Sequence, residues 1–126
     1  MTHRILLREV VVDVPSDHLE AAKRFWAAAL DTHTQPLKDY TEFIALENPA
    51  SRCVVGLQDI GESPARFHVD IESDDVEAEV ARLVALSATE VSRHRSWVVL
   101  HDPAGLLLCV VPPDTPDFDA RARAVG

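Results

Sequence analysis

The stretch of residues 67–84, FHVDIESDDVEAEVARLV, decides the fold, because it predicts one strand that runs directly into one helix. In the strand, polar His68 and Asp70 alternate with apolar Val69 and Ile71, so the two kinds of side chain face opposite sides of a sheet. If the helix packs on the apolar side, His68 and Asp70 point away from it. Ionisable side chains on that face need a partner, water or a ligand.

The helix in this stretch has a start signal and an apolar stripe. Asp74 is placed to cap the first turn, with Glu77 as its capping-box partner three residues later. Apolar side chains then recur at helical spacing, at Val76, Val80, Leu83 and Val84.

A similar pattern occurs earlier in the chain. Residues 12–21, VDVPSDHLEA, align with residues 69–78, VDIESDDVEA, and in this alignment Asp13 matches Asp70. Asp17 and Glu20 repeat the capping pair. The repeat indicates two copies of one supersecondary unit, with a chance similarity between two capped helices as the alternative.

Each copy continues as strand, helix and three further strands. We predict strands at 5–14, 32–36, 40–46 and 53–60 with a helix at 17–30, then strands at 66–71, 89–92, 96–100 and 106–111 with a helix at 75–86. We therefore expect a domain over residues 1–113, with module one at 5–60 and module two at 66–111. A loosely attached tail follows at 114–126.

Local signals add detail to this outline. The first helix is expected to bury a stripe formed by Leu19, Ala22, Phe25, Trp26 and Ala29. Asp31 and Ser87 stand where a glycine commonly ends a helix. Turns are expected at residues 48–51 and at 102–105, where Asp, Pro and Gly fit a type I turn.

The composition argues against several functional classes. The net charge of −9 and the lack of a basic stripe argue against nucleic acid and anionic membranes as partners. No apolar run approaches the ~20 residues of a membrane span, and the charged start does not resemble a signal peptide. Cys53 and Cys109 lack metal-binding spacing, so we expect reduced, buried thiols in a cytoplasmic protein. We expect four histidines to be solvated: His3, His18, His33 and His94.

The order βαβββ, twice, resembles the vicinal-oxygen-chelate superfamily of glyoxalase I, bleomycin-resistance proteins and extradiol dioxygenases, and within it the small bacterial glyoxalase-like domain proteins. The residues that carry the resemblance span roughly 5 to 113: VVDV at 11–14, FWAAAL at 25–30, HVD at 68–70, EVARLVAL at 79–86, WVVL at 97–100 and DPAG at 102–105. The resemblance implies an α+β fold in which two tandem modules form a cupped mixed sheet around a cavity, with the helices outside.

Catalytic members of this superfamily hold a divalent metal through the first and last strand of each module. The resemblance places these positions at Val11, Gln58, His68 and Cys109, and Glu9 replaces Val11 only if the first strand slips by two residues. Valine has no donor atom, an amide oxygen is a weak ligand, and a thiolate is soft for these metals. We therefore expect no cofactor and no complete metal site, with a divalent metal on His68, Gln58, Glu9 and Cys109 as the alternative.

The remaining candidates line the expected cavity. We expect ligand binding by a set of six residues, His68, Gln58, Asp13, Asp70, Trp97 and Cys109. His68 and Asp70 are the catalytic candidates if the protein is an enzyme. The structural alternative is that Asp13 and Asp70 only form ion pairs with arginines such as Arg66 or Arg8.

Three functions are consistent with these features. The first is binding of a small organic molecule in the cavity without a metal. The second is a metal-dependent lyase, isomerase or dioxygenase resembling glyoxalase I. The third is a non-catalytic, dimerising interaction module; relatives often form homodimers.

Overall fold

The computed structural model describes residues 2–47 and 54–126. The strands are β1 (His3–Val14), β2 (His33–Pro36), β3 (Phe43–Glu47), β4 (Val55–Asp59), β5 (Arg66–Ser73), β6 (Thr89–Arg93), β7 (Val98–His101), β8 (Leu107–Val111) and β9 (Arg123–Val125). The helices are α1 (Leu19–Ala29), α2 (Val76–Ala85) and the short α3 (Phe118–Arg121). The α+β class and the order of strand, helix and three strands, repeated once, are confirmed. The cupped sheet around a shared cavity stays a prediction.

The chain divides into two compact units, residues 9–68 and residues 1–8 with 69–126. In the unit of residues 9–68, the strand order is β2-β3-β4-β1, in which only the β4–β1 pair is parallel. Val12, Val14, Ile44 and Leu57 form its buried core, and Leu19, Ala22 and Trp26 of α1 pack against them. Because side chains alternate along a strand, Asp13 between the two valines points to the sheet face away from α1.

In the other unit, the order is β5-β8-β7-β6, with a parallel β5–β8 pair, and β9 pairs with residues 3–5 of β1. Its core consists of Val80 of α2 packed with Val98, Leu100 and Val110. Asp70 is the register partner of Cys109, which alternates with Val110 along β8. Asp70 therefore lies on the face away from α2, as the alternation in residues 67–84 predicts.

Both predicted helix caps are wrong. Asp75 caps α2 by accepting the Ala78 N–H at 3.0 Å. Asp74 instead accepts the backbone N–H and the Nε–H of Arg4, each at 2.8 Å. Asp17 lies in a 3₁₀ turn that precedes α1, and the N-cap residue of α1, His18, makes no capping side-chain bond.

Three residues of the predicted apolar stripes, Phe25, Ala29 and Val84, are exposed. Phe25 is 62 % exposed and meets the Trp26 ring edge-on, while Val84 is 46 % exposed. The stripe residues Trp26 and Val80 do pack against the cores.

Asp31 and Ser87 follow the two main helices with φ values of 51° and 81°. They occupy the left-handed conformation that glycine adopts without steric cost. After α2, the N–H groups of Ser87 and Ala88 return to the Val84 and Leu83 carbonyls. The predicted turn at 102–105 is confirmed, because the Gly105 N–H donates to the Asp102 carbonyl at 3.0 Å.

The expectation of a loosely attached tail is wrong. Phe118 is only 5 % exposed, and the Arg4 guanidinium lies 5.3 Å from the centre of its ring. Buried Glu72 accepts the backbone N–H and the hydroxyl of Thr115, and Arg8 donates to Asp114 at 2.8 Å. Together with β9, these contacts fasten residues 114–126 to their unit.

His3 is buried, so the expectation that it is solvated is wrong. Its Nε2 lies 2.6 Å from Glu79 Oε2, and Arg82 donates two hydrogen bonds to the same carboxylate. Burial raises the pKa of Glu79, but the hydrogen bonds from Arg82 and His3 outweigh it, so this pKa lies below its ordinary value.

The predicted turn at 48–51 and Cys53 lie outside the described residues. Cys109 is a buried free thiol, as predicted. Within residues 2–47 and 54–126, no helix is long and apolar enough to cross a membrane.

Candidate functional site

A buried carboxylate, Asp13 of β1, organises the polar face of the unit of residues 9–68. It is 1 % exposed, and its Oδ2 atom lies 2.8 Å from His68 Nδ1. The same oxygen accepts a hydrogen bond from Arg66 Nε at 3.1 Å. Arg66 and His68 lie two positions apart on β5, so their side chains reach Asp13 from one face of that strand. The predicted Asp13–Arg66 ion pair is therefore present, whereas Arg8 pairs with Glu72 and Asp114.

The contact with Asp13 also orients the His68 ring. A carboxylate only accepts hydrogen bonds, so neutral His68 carries its proton on Nδ1. Nε2 is then the nitrogen with the lone pair, which is the arrangement used by imidazoles that act as bases or bind metals. His68 is 7 % exposed, which shields this arrangement from bulk water.

The second carboxylate oxygen of Asp13, Oδ1, differs from Oδ2 in its hydrogen bonding. Asp13 Oδ1 is buried, and the described residues provide it with no hydrogen-bond partner. A buried acceptor without a donor costs about 1–3 kcal/mol. This atom is therefore a place where a ligand with an N–H or O–H group would gain binding energy.

The strand register adds Gln58 to this polar face. Gln58 of β4 is the register partner of Asp13 on one side and of Phe43 on the other, so the three side chains form one row across the sheet. The adjacent row contains Gly56 with its partners Val11 and Ala45.

Gly56 also determines where a nearby carboxylate lies. A Cβ atom at position 56 would be 2.9 Å from Glu9 Oε2, so the Glu9 carboxylate lies over the glycine. Val11, with no donor atom, occupies the corresponding place in β1 and is 1 % exposed. In the pairing of β1 with β4, Val11 is the partner of Gly56. The first strand is therefore not shifted by the two residues that would place Glu9 at the position of Val11.

The remaining predicted site residues lie in the other unit. Asp70 is 7 % exposed and faces Cys109 in register. Trp97 directly precedes β7 and stacks on the His94 ring, with 4.6 Å between the ring centroids. His94 is exposed, as predicted.

The four positions that the resemblance implies for a metal do not form a fitting set. Val11 is apolar, Gln58 offers an amide oxygen, and Cys109 offers a soft thiolate. Only His68, held by Asp13, has the chemistry and the supporting carboxylate of a metal ligand. We therefore derive no reaction step through a metal.

Sequence reasoning named Arg66 as an ion-pair partner but not as a site residue. The signal was available, because Arg66 and His68 share one face of the predicted strand. It also missed Phe43 in the row of Gln58, since the pairing of β3 with β4 cannot be read from either strand alone.

Comparison with known proteins identifies the family. A family model described as a glyoxalase-like domain matches residues 9–111. The chain therefore belongs to the glyoxalase-like domain family, within the vicinal-oxygen-chelate superfamily that the sequence predicted. A comparison with curated proteins finds no match.

Solved structures share the fold at low sequence identity. A hypothetical protein from Bacillus halodurans is 15 % identical with a TM-score of 0.64, and the match covers 87 % of this chain and 95 % of that chain. Methylmalonyl-CoA epimerase from Mycobacterium tuberculosis is 18 % identical with a TM-score of 0.57, over 90 % and 91 % of the two chains. A variant of homoprotocatechuate 2,3-dioxygenase from B. fuscum is 15 % identical with a TM-score of 0.59, over 90 % of this chain and 34 % of the dioxygenase. These similarities define a fold and leave the function to be argued from the site.

Proposed function

We propose that this glyoxalase-like protein binds a small, hydroxylated or amide-bearing organic molecule on the polar face formed by Asp13, His68 and Gln58. The observation that carries the proposal is the buried carboxylate of Asp13. One of its oxygens is held by His68 and Arg66, and the other has no donor among the described residues.

The charges on this face favour a neutral or weakly polar ligand. Asp13 and Glu9 bring two carboxylates, and the net charge of the chain is −9, so polyanions are repelled. Gln58 can donate and accept at once, and Phe43 in the same row provides an aromatic surface. Aromatic and polyketide-like molecules with hydroxyl groups combine these features.

A thermal-shift screen with such compounds tests the proposal, since a ligand that binds only the folded state raises the melting temperature. We expect binders to raise the melting temperature of the wild type and to lose most of this effect in Asp13→Asn, measured against the variant's own unliganded value. Asp39→Asn, at an exposed aspartate in the same unit, is the matched control and should respond like the wild type. Equal shifts in all three proteins would rule out Asp13 as the binding group.

The alternative of a metal-dependent lyase, isomerase or dioxygenase is favoured by one observation, the His68 ring held by Asp13. Elemental analysis of protein purified without chelator distinguishes it from metal-free binding. Stoichiometric metal that is lost in His68→Ala would support the alternative. Trace metal that is unchanged in His68→Ala would support metal-free binding.

The third alternative, a dimeric interaction module, has a different signature. It predicts a concentration-dependent dimer in sedimentation experiments together with no melting-temperature shift by any small molecule. A ligand shift that depends on Asp13 would contradict it.

A further inference from the structure

A cavity in the unit of residues 9–68 lies beside α1. It has a volume of about 410 Å³, and its walls include Asp13 and Arg66 beside Val12, Ala22, Trp26 and Phe67. Val12 and Val14 pack with Ala22 and Trp26 on the α1 side of the sheet. The apolar wall of the cavity therefore lies on the α1 side of the sheet, and the cavity adjoins the polar row at Asp13.

The size and the walls of this cavity fit a small, flat, apolar molecule. Ligand sites for small molecules are typically about 300–1,000 Å³, apolar or aromatic, with a few fixed polar groups. Trp26 and Phe67 supply two aromatic rings, and Phe67 is 59 % exposed, as an aromatic side chain at the mouth of a site would be. Aromatic rings favour edge-to-face or offset contact with another ring.

Arg66 is the cationic group of the cavity, next to the buried carboxylate of Asp13. Its Nε–H donates to Asp13, and among the described residues its terminal N–H groups have no hydrogen-bond partner. The bond to Asp13 orients the guanidinium while leaving it 44 % exposed. A guanidinium matches a carboxylate with two parallel hydrogen bonds.

We propose that this cavity is a ligand site for a flat aromatic monocarboxylate, with its ring against Trp26 and Phe67 and its carboxylate on Arg66. The overall charge of −9 disfavours anions elsewhere on the surface, so the local guanidinium decides where such an anion binds. The inference goes beyond the proposed function, because it assigns the apolar wall beside α1 and a ligand of different charge.

Two probes of the same shape test the proposal: 2-naphthoate and its uncharged amide, 2-naphthamide. The first readout is the indole N–H signal in ¹⁵N-resolved NMR spectra, where Trp97 serves as an internal control. We expect 2-naphthoate to shift the Trp26 signal and leave the Trp97 signal in place. A shift of Trp97 alone, or no shift of either at millimolar probe, overturns the proposal.

The second readout is the change of affinity with charge. Arg66→Gln should weaken 2-naphthoate about five- to tenfold, the effect of one partly exposed ion pair, and leave 2-naphthamide unchanged. Arg95→Gln, at an exposed arginine in the other unit, should bind both probes like the wild type. Equal 2-naphthoate affinity in wild type and Arg66→Gln overturns the assignment of Arg66.

A cavity-filling variant separates this site from other apolar surfaces. Ala22→Leu should abolish binding of both probes, provided that its NMR spectrum keeps the Trp97 signal of the folded protein. If Ala22→Leu unfolds, competition between 2-naphthoate and 2-naphthamide for the wild-type protein tests whether both bind in this cavity. Mutual displacement supports one shared cavity, and independent binding overturns it.

Discussion

The Oδ2 atom of Asp13 lies 2.8 Å from Nδ1 of His68, and both side chains are almost completely buried. His68 of β5 is thus held in place by Asp13 of β1. Removing one partner of a buried pair leaves the other without its compensating charge or hydrogen bond.

Asp13→Ala should therefore lower the free energy of unfolding by about 3 kcal/mol, because it removes the buried oxygen to which His68 Nδ1 and Arg66 Nε are both hydrogen-bonded. Arg66→Gln should cost less than about 1 kcal/mol, since the arginine is 44 % exposed and water replaces its bond. Urea unfolding followed by circular dichroism measures both. If the two variants lose the same small amount, Asp13 is not the centre of the network.

Ser87→Gly should raise the free energy of unfolding by about 1 kcal/mol, because serine at a φ of 81° carries steric strain that glycine does not. Ala81→Gly, at an exposed position in the middle of α2, should lower it by about 1 kcal/mol. Thermal unfolding of the two variants gives the comparison. A destabilising Ser87→Gly would mean that the serine makes a compensating contact.

Phe118→Ala should cost about 3 kcal/mol, since it removes a buried ring from the segment that carries α3 and β9. Phe25→Ala, at a ring that is 62 % exposed, should change the stability by less than about 1 kcal/mol. Chemical unfolding tests this pair under identical conditions. Equal losses would show that Phe118 adds nothing through its burial.

Glu79→Gln should destabilise the protein in a pH-dependent way. The folded-state pKa of Glu79 lies below its ordinary value of 4.5, so its stabilising effect is full above that value and is lost as the pH falls through the folded-state pKa. We expect a loss of about 2 kcal/mol at neutral pH that shrinks in acid. Unfolding free energies from pH 7 down to pH 3 measure this difference.

The control for the pH dependence is Glu62→Gln, at an exposed turn residue. It should stay within about 0.5 kcal/mol of the wild type over the same range. A Glu79→Gln effect that is constant with pH would show that the carboxylate charge does not stabilise the fold.

The alternation of His68 and Asp70 with valine and isoleucine predicted correctly which face of the sheet carries polar side chains. Alternation is a local property of the backbone, so a sequence reveals it. The α2 cap was misplaced because Arg4, seventy positions earlier, takes the Asp74 carboxylate. His3 was misjudged for a similar reason, since its partner Glu79 is distant in sequence.

The tail shows a different limit of sequence reasoning. Phe118 is a single aromatic residue among charged and proline residues, so no periodic pattern marks it as buried. At the site, the pairing of Asp13 with Arg66 was foreseen from charge. The sharing of one oxygen between Arg66 and His68 depends on side-chain geometry, which the order of residues does not contain.

The absence of a side chain at Gly56 has a consequence for evolution. An alanine there would meet the carboxylate of Glu9 at 2.9 Å, and a flexible side chain relieves such a collision by swinging away. Positions 9 and 56 are therefore expected to covary among homologues, with a longer residue at one favouring a shorter residue at the other. A substitution at position 56 could therefore be used to shift the negative charge of Glu9 without replacing Glu9 itself.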